Sequence, residues 1–193
     1  RAQLIQAIRD FLNKRGFLEV ETPGIHTLYG GTNARPFATH INAFNMDVYM
    51  RLAPELYLKR LIIGGLEKVY EIGKNFRNEG ADLTHNPEFT MLEWYEAYAD
   101  YHKMMDVAEE LFKAIAKELY GGFKVPHRGS FISLTGKWPR TPMTDLIKEY
   151  AHIDVNAMSE RELVEFVERN KILFRGKASK GVLINAIFEK MVT

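Results

Sequence analysis

Apolar residues recur along the chain at two spacings, which predict a mixture of helices and strands. Spacings of three and four place residues on one helix face, whereas alternation places them on one strand face. Helices are predicted over Arg1–Lys14, Ala53–Gly64, Tyr101–Tyr120 and Thr141–Tyr150, after Ser159 with its capping partner Glu162, and around Val182–Phe188. Strands are predicted over Phe17–Thr22, Phe37–Leu52 (two strands with a turn near Asn42–Asn45), Glu67–Phe76, Glu88–Tyr98 and Phe131–Leu134.

The stretch Leu66–Tyr98 predicts a hairpin around which the chain is organised. Two strand-like runs, Glu67–Phe76 and Glu88–Tyr98, flank a polar loop over Arg77–Pro87 that contains Gly, Asp, Asn and Pro. Antiparallel pairing is the simplest arrangement for two strands joined in this way.

One face of the second predicted strand combines three kinds of chemistry. Arg77 stands where the first strand gives way to the loop, so its guanidinium is expected near this face. Such a surface could hold an aromatic base, a cation and an anion together, although a half-buried strand with a hydrogen-bonded glutamate explains the same pattern. By alternation, the face consists of Phe89, Met91, Glu93, Tyr95 and Ala97.

Composition and charge narrow the function classes. The 193 residues suit one domain, or one with a small extension, at 46% hydrophobic and 26% charged residues. A formal net charge of +1 gives no broad basic footprint for nucleic acid, and the absence of cysteine excludes disulfides and thiolate metal sites. No apolar run approaches membrane-spanning length and no signal peptide is evident. Because the chain opens and closes inside helix-like patterns, we expect a piece of a longer protein.

Two further positions suit ligand binding, each with an ordinary structural explanation. The Gly30-Gly31 turn lets the backbone approach a ligand or adopt positive φ. Glu55 lies in the first turn of a helix entered through Pro54, where it complements the helix dipole and could receive an ammonium group. His40 in a predicted strand is given no role. The sequence contains no phosphate-binding GxxxxGK[ST], no HExxH and no nucleophile elbow.

Four segments resemble the class II aminoacyl-tRNA synthetases, and most closely their lysine-specific family. FRNEG at Phe76–Gly80 with THNPEFTMLEWYEAY at Thr84–Tyr98 resembles motif 2 in its lysyl-tRNA synthetase version. GFLEVETP at Gly16–Pro23 is similar to motif 1, the dimer-interface segment. The lysine-specific likeness extends to GGTNARPF at Gly30–Phe37 and RLAPELYLKRL at Arg51–Leu61. The resemblance covers most of residues 1–101 and fades after Gly121.

The resemblance implies an α+β fold, with an antiparallel sheet flanked by helices rather than a doubly wound nucleotide fold. Residues 1–193 would be a partial class II catalytic domain, with motif 1 near 1–24 and motif 2 near 66–98. The glycine-rich motif 3, the acidic residues that hold magnesium, a further acidic residue of the lysine pocket and an OB-type anticodon-binding domain have no match in this sequence.

The implied activity is that of a lysine–tRNA ligase. Lysine attacks the α-phosphorus of ATP to give lysyl-adenylate, and the lysyl group then passes to tRNA(Lys). The resemblance implies ATP as a substrate, Mg²⁺ in the intact enzyme with ligands outside this chain, a homodimer, no membrane partner and a cytoplasmic location. For these 193 residues alone, weak ATP or lysine binding is the most we expect.

The resemblance also assigns roles to individual residues. Arg77 is the catalytic residue, since a forked arginine can hold both the lysine carboxylate and the α-phosphate. Phe89 is assigned to adenine, with Glu93 placed nearer the α-amino end of lysine and Tyr95 nearer its side-chain end. The implied ATP site consists of Arg77, Asn78, Glu79, His85, Asn86, Pro87 and Phe89, and the implied lysine site of Gly31, Glu55, Arg77, Glu93 and Tyr95.

Three alternatives stay open. A synthetase paralogue could lysylate a protein side chain instead of tRNA, and an upstream anticodon domain would separate the two. A non-catalytic binding module is a further alternative, disfavoured because it would need neither Arg77 nor Glu93 and Tyr95. Aspartate- or asparagine-type relatives share motif 2, but two carboxylates suit a cationic substrate and would repel an anionic one.

Overall fold

A computed structural model describes residues 1–174 and 176–192 of the chain. The sequence predicts a helical pattern up to Thr193, and that last residue lies outside the described part of the chain. The chain divides into two compact units, Arg1–Gly136 and a second that begins at Lys137, and each is described by itself.

The first unit contains three helices and eight strands within the described residues. The helices are α1 (Ala2–Lys14), α2 (Glu55–Ile63) and α3 (Tyr101–Tyr120). The strands are β1 (Leu18–Glu19), β2 (Ile25–His26), β3 (Ala38–Ile41), β4 (Met46–Met50), β5 (Lys68–Phe76), β6 (Glu88–Glu96), β7 (Lys124–His127) and β8 (Ser130–Ser133). A short 3₁₀ turn over Asn42–Phe44 joins β3 to β4, as the sequence predicted for that region.

These strands form three small sheets, in the orders β1-β5-β6, β2-β4-β3 and β7-β8. All pairings are antiparallel except that of β1, which runs parallel to β5 with Leu18 opposite Val69. The α+β fold with antiparallel sheets and flanking helices is therefore confirmed. Strand β1 is shorter than the predicted Phe17–Thr22. The Val20 N–H still donates to the Tyr70 carbonyl, but beyond it the Thr22 hydroxyl bonds the Glu71 side chain and Pro23 has no N–H to donate.

Two faces of the β5–β6 hairpin have different surroundings. On one face, Tyr70 is fully buried against Leu12 and Phe17, with Ile72, Leu92 and Trp94 packed around them. Helix α1 therefore covers this face, and its burial supplies apolar stabilisation. The other face contains Glu71, Gly73 and Asn75 on β5 and Phe89, Met91, Glu93 and Tyr95 on β6, and helix α2 packs against the same two strands.

Helix α3 begins and ends with the expected signals. The Asp100 side chain accepts a 3.0 Å hydrogen bond from the Lys103 N–H at the start of the helix. Gly121 ends the helix in the left-handed conformation, which a glycine adopts without strain. The following strand β7 was not predicted, since Pro126 interrupts its pattern.

The second unit is a cluster of three helices, α4 (Met143–Ala151), α5 (Glu160–Arg169) and α6 (Lys180–Met191). The predicted capping box at the start of α5 is present, with Ser159 and Glu162 bonding each other's backbone N–H. The core between the helices is apolar and formed by Ile147, Val155, Leu163, Val167, Ile172, Leu183, Ala186 and Ile187. No described helix in either unit has the length and apolarity that crossing a membrane requires.

Candidate active site

The candidate site lies on the α2-facing side of the β5–β6 hairpin. The two strands pair over all nine residues of each, with Glu71 opposite Glu93, Gly73 opposite Met91 and Asn75 opposite Phe89. The predicted hairpin and the predicted alternation of its faces are confirmed by this register.

Arg77 stands at the end of β5, where the loop begins. Its backbone N–H donates to the Pro87 carbonyl at 2.9 Å, which closes the loop at its base. Its guanidinium carbon lies 5.0 Å from the centre of the Phe89 ring, a cation–π distance. Its Nε is buried without a hydrogen-bond partner among residues 1–174 and 176–192. A buried, unpaired guanidinium N–H is a natural contact for an anionic ligand.

Glu93 and Tyr95 form a hydrogen-bonded pair on the same face. The Tyr95 hydroxyl donates to Glu93 Oε2 at 3.2 Å. Burial raises the pKa of the Glu93 carboxyl, and the nearby Glu55 carboxylate raises it further, against the lowering effects of the Tyr95 hydroxyl and the Arg77 charge. Burial, followed by the Glu93 charge, also raises the pKa of Tyr95, so its hydroxyl stays a donor. The face therefore has an excess of negative character that a bound cation would relieve.

Glu55 reaches this face from the first turn of α2. Its Oε1 accepts from the Lys59 ammonium, one helical turn away, at 2.5 Å. Gly31 lies against Glu55 with φ +87°, and a Cβ built on it would approach the Glu55 Cβ to 3.0 Å and the Ala53 Cβ to 3.3 Å. The second glycine of the predicted turn is thus required by both its conformation and its close approach.

The loop between β5 and β6 is tied to the segment before β3. Asn78 N–H donates to the Arg35 carbonyl at 2.7 Å, and Arg35 N–H donates to Glu79 Oε1 at 3.4 Å. Asn86 in turn donates from Nδ2 to the Glu88 carbonyl at 2.6 Å. These contacts fix the two ends of the loop relative to the hairpin.

The middle of the loop is organised by Asp82. Its Oδ1 accepts from the backbone N–H groups of Thr84 and His85 at 2.7 and 2.8 Å, and its carboxylate also contacts His85 Nδ1. These hydrogen bonds, led by that of the Thr84 N–H, hold the pKa of Asp82 well below its usual range. With Nδ1 engaged, the other ring nitrogen of the exposed His85 remains available to a ligand.

The predicted site residues divide into two groups by position. Arg77, Phe89, Glu93, Tyr95, Glu55 and Gly31 converge on the hairpin face, as their distances and mutual electrostatic effects indicate. Asn78, Glu79, His85, Asn86 and Pro87 belong to the loop, and their contacts are within the loop, with Arg35 and with Glu88 at the start of β6. The ligand-binding roles assigned to both groups stay predictions.

Sequence reasoning missed residues that the structure places at the same face. Arg51 and Glu71 form a buried ion pair, and Thr22 donates to Glu71 Oε2 at 2.6 Å. A glycine inside a strand often marks a close approach, so Gly73 was the one available signal. Asn75 lies opposite Phe89, and its buried Oδ1 has no partner among the described residues. Among the same residues, no group of three or more His, Asp or Glu side chains could hold a metal ion.

Comparison with known proteins gives the class. The family model described as tRNA synthetases class II (D, K and N) matches residues 1–177. The chain therefore belongs to this family of class II tRNA synthetases, which confirms the resemblance.

Individual relatives are more specific. The chain is 51% identical over 193 residues to a lysine–tRNA ligase of Thermoanaerobacter sp. (strain X514), covering 100% of this chain and 39% of that protein. Similar matches are the lysine–tRNA ligases of Pelotomaculum thermopropionicum, at 51% identity with 100% and 38% covered, and of Staphylococcus epidermidis, at 49% with 100% and 39% covered. The chain thus spans about two fifths of the length of the curated relatives it matches.

Proposed function

We propose that a protein containing this chain is a lysine–tRNA ligase, with residues 1–193 supplying part of its catalytic domain. Motif 1 would lie near residues 1–24 and motif 2 near 66–98. The observation that supports this most is the convergence of Arg77, Glu93, Tyr95 and Glu55 on one hairpin face beside the Phe89 ring. The relatives at about 50% identity, all lysine–tRNA ligases, agree with it.

The first step is the attack of a lysine carboxylate oxygen on the α-phosphorus of ATP. An O–P bond forms, the bond to pyrophosphate breaks, and pyrophosphate leaves with its electron pair. Two anions must approach each other, so the principal task is charge compensation and positioning. The guanidinium of Arg77, whose Nε is unpaired among the described residues, would contact both anions, and Phe89 beside it would stack on adenine.

Lysine would then be held by the negative groups of the same face. Its ammonium groups need paired acceptors, because a desolvated cation is costly otherwise. Glu93 and Tyr95 already form a hydrogen-bonded pair, and Glu55 and the Gly31 carbonyl would complete the set of acceptors. Glu93 would lie nearer the α-amino end of lysine and Tyr95 nearer its side-chain end. A cation bound here would stabilise the ionised form of Glu93, whose pKa is raised chiefly by burial.

In the second step the terminal ribose hydroxyl of tRNA(Lys) would attack the lysyl carbonyl, and AMP would leave. Class II synthetases in general use ATP and Mg²⁺. The described residues do not fit a Mg²⁺ site, so no step is assigned to the metal and its ligands are proposed to lie outside this chain. The homodimer, the cytoplasmic location and the absence of a membrane partner remain part of the proposal.

The test is amino-acid-dependent ATP–pyrophosphate exchange by a full-length protein containing this chain. Exchange with lysine, and none with aspartate or asparagine, is expected. Glu55 and Glu93 would repel the anionic side chain of aspartate, and the neutral amide of asparagine has no positive charge to pair with them. Exchange with aspartate or asparagine but not lysine would contradict the proposal. Charging of tRNA(Lys), compared with lysine incorporation into protein, separates the ligase from the protein-modifying alternative.

A further inference from the structure

Arg51 connects three segments that meet beside the candidate site, on the same face of the hairpin. Its backbone N–H donates to the Gly24 carbonyl and its carbonyl accepts from the Phe76 N–H, each at 3.0 Å. Its side chain donates from Nε to the Lys74 carbonyl at 2.7 Å and from Nη1 to the Thr22 carbonyl at 3.3 Å. One residue therefore fixes the end of β5, directly before Arg77.

The same guanidinium compensates a buried carboxylate. Arg51 and Glu71 form an ion pair in which the two residues are only 6% and 3% exposed. The second oxygen of Glu71 accepts the Thr22 hydroxyl at 2.6 Å. A carboxylate at this depth is costly without such partners, and removal of one partner leaves the other charge uncompensated.

The backbone is shaped to admit this pair. A Cβ on Gly73 would overlap the Arg51 guanidinium and lie 3.1 Å from Glu71 Oε1. Glycine weakens the interior of a strand, so a glycine there needs another reason. At Gly73 the reason is space, because any side chain would displace the Arg51 guanidinium.

Glu71 is the cross-strand neighbour of Glu93. Their residues are directly opposite in the β5–β6 register and point to the same face, an arrangement that is unfavourable for like charges. The charged and titratable groups that act on Glu93 are Tyr95 on its own strand, Glu71 on β5, Glu55 on α2 and Arg77 at the loop. Of these, Glu71 is the one whose charge Arg51 offsets through a direct ion pair.

We propose that Arg51 is a positioning residue of the lysine site, which neutralises Glu71 so that Glu93 stays ionised to receive the substrate's ammonium group. This inference rests on the proposed function, since it assigns Glu93 to lysine. Arg51 acts through Glu71 and through the end of β5, without touching the substrate.

The expected effects have opposite signs in two variants. Arg51→Met exposes Glu93 to an uncompensated Glu71, which raises the pKa of Glu93. The acid limb of kcat/KM for lysine should shift upward by about one pH unit, with KM for lysine raised about tenfold on the acid side and recovering as the pH rises. Glu71→Gln leaves the Arg51 charge without its partner beside Glu93, which favours the ionised carboxylate, so its acid limb should shift downward. The double variant should return close to the wild-type profile.

The experiment measures lysine-dependent ATP–pyrophosphate exchange against pH in a full-length protein containing this chain. Arg161→Met is the matched control, because it removes an ion pair with Glu165 on the surface of α5 and should leave the limb unchanged. If Arg51→Met does not fold, Glu71→Gln alone decides, since its limb must shift downward. The inference is overturned if the single variants have lower melting temperatures but the wild-type acid limb. It is also overturned if Arg51→Met and Glu71→Gln shift the acid limb in the same direction. A wild-type protein without lysine-dependent exchange would instead remove the proposed function and, with it, this inference.

Discussion

The guanidinium of Arg77 lies over the ring of Phe89, with its central carbon 5.0 Å from the ring centre. Arg77 directly follows β5 and Phe89 is the second residue of β6. The hairpin register therefore brings them together across the base of an eleven-residue loop, Arg77–Pro87. A phosphate bound by Arg77 would thus lie beside a flat apolar surface suited to adenine.

Replacement of Phe89 by alanine should weaken ATP binding without affecting lysine. Loss of base stacking costs about 1–3 kcal/mol, which corresponds to a rise in KM for ATP of roughly 5- to 150-fold. The measurement is the ATP dependence of pyrophosphate exchange. Phe44→Ala is the control, because Phe44 lies 74% exposed on the turn after β3 and should leave KM unchanged. Equal effects of the two variants would argue against adenine at Phe89.

Replacement of Gly31 by alanine should weaken lysine binding. The new Cβ would meet the Glu55 Cβ at 3.0 Å, so the carboxylate at the start of α2 must move. We expect KM for lysine to rise by about tenfold or more, as for a displaced ion-pairing group. Gly129→Ala is the control. Its backbone has a similar positive φ of +82°, so the conformational strain is matched, but the new Cβ would meet no atom within 4 Å. If both variants have the same KM for lysine, the contact with Glu55 has no role in binding.

Replacement of Ser159 by alanine should destabilise the second unit. The Ser159 hydroxyl caps α5 by accepting from the Glu162 N–H, and loss of such a cap costs about 1 kcal/mol. Ser179→Ala is a matched control, since Ser179 precedes α6 without a side-chain capping bond. Denaturant unfolding followed by helical circular dichroism should show a lower midpoint for the first variant alone. A comparable loss in both would contradict the capping account.

Several features were predictable because they depend on neighbours in sequence. Loop residues and alternation were enough to predict the β5–β6 hairpin and its mixed face, and Ser159 with Glu162 was enough to predict the start of α5. The resemblance to motif 2 then supplied a hypothesis for the ligand-binding roles of Arg77, Phe89 and Glu93. The family match supports the class of protein on which that hypothesis depends.

Other features depend on contacts between distant segments, which a single sequence does not encode locally. The partners Arg51 and Glu71 are 20 residues apart, and their meeting depends on where β4 ends relative to β5. The parallel pairing of β1 joins Leu18 to Val69, far along the chain, and the alternation within β1 does not specify that partner. Asp82 could have been found as a short-range hydrogen-bonding residue, since Asp commonly organises loops in this way.

The most direct test of the central claim is lysine-dependent ATP–pyrophosphate exchange by a full-length protein in which Arg77 is replaced by alanine. Because Arg77 is proposed to neutralise both reacting anions, exchange should fall by at least about 10²-fold, with the protein still folded. Arg161→Ala should exchange at the wild-type rate, since Arg161 pairs with Glu165 on the surface of α5. Near-normal exchange in the folded Arg77→Ala protein would contradict the assignment of this hairpin face to lysine activation.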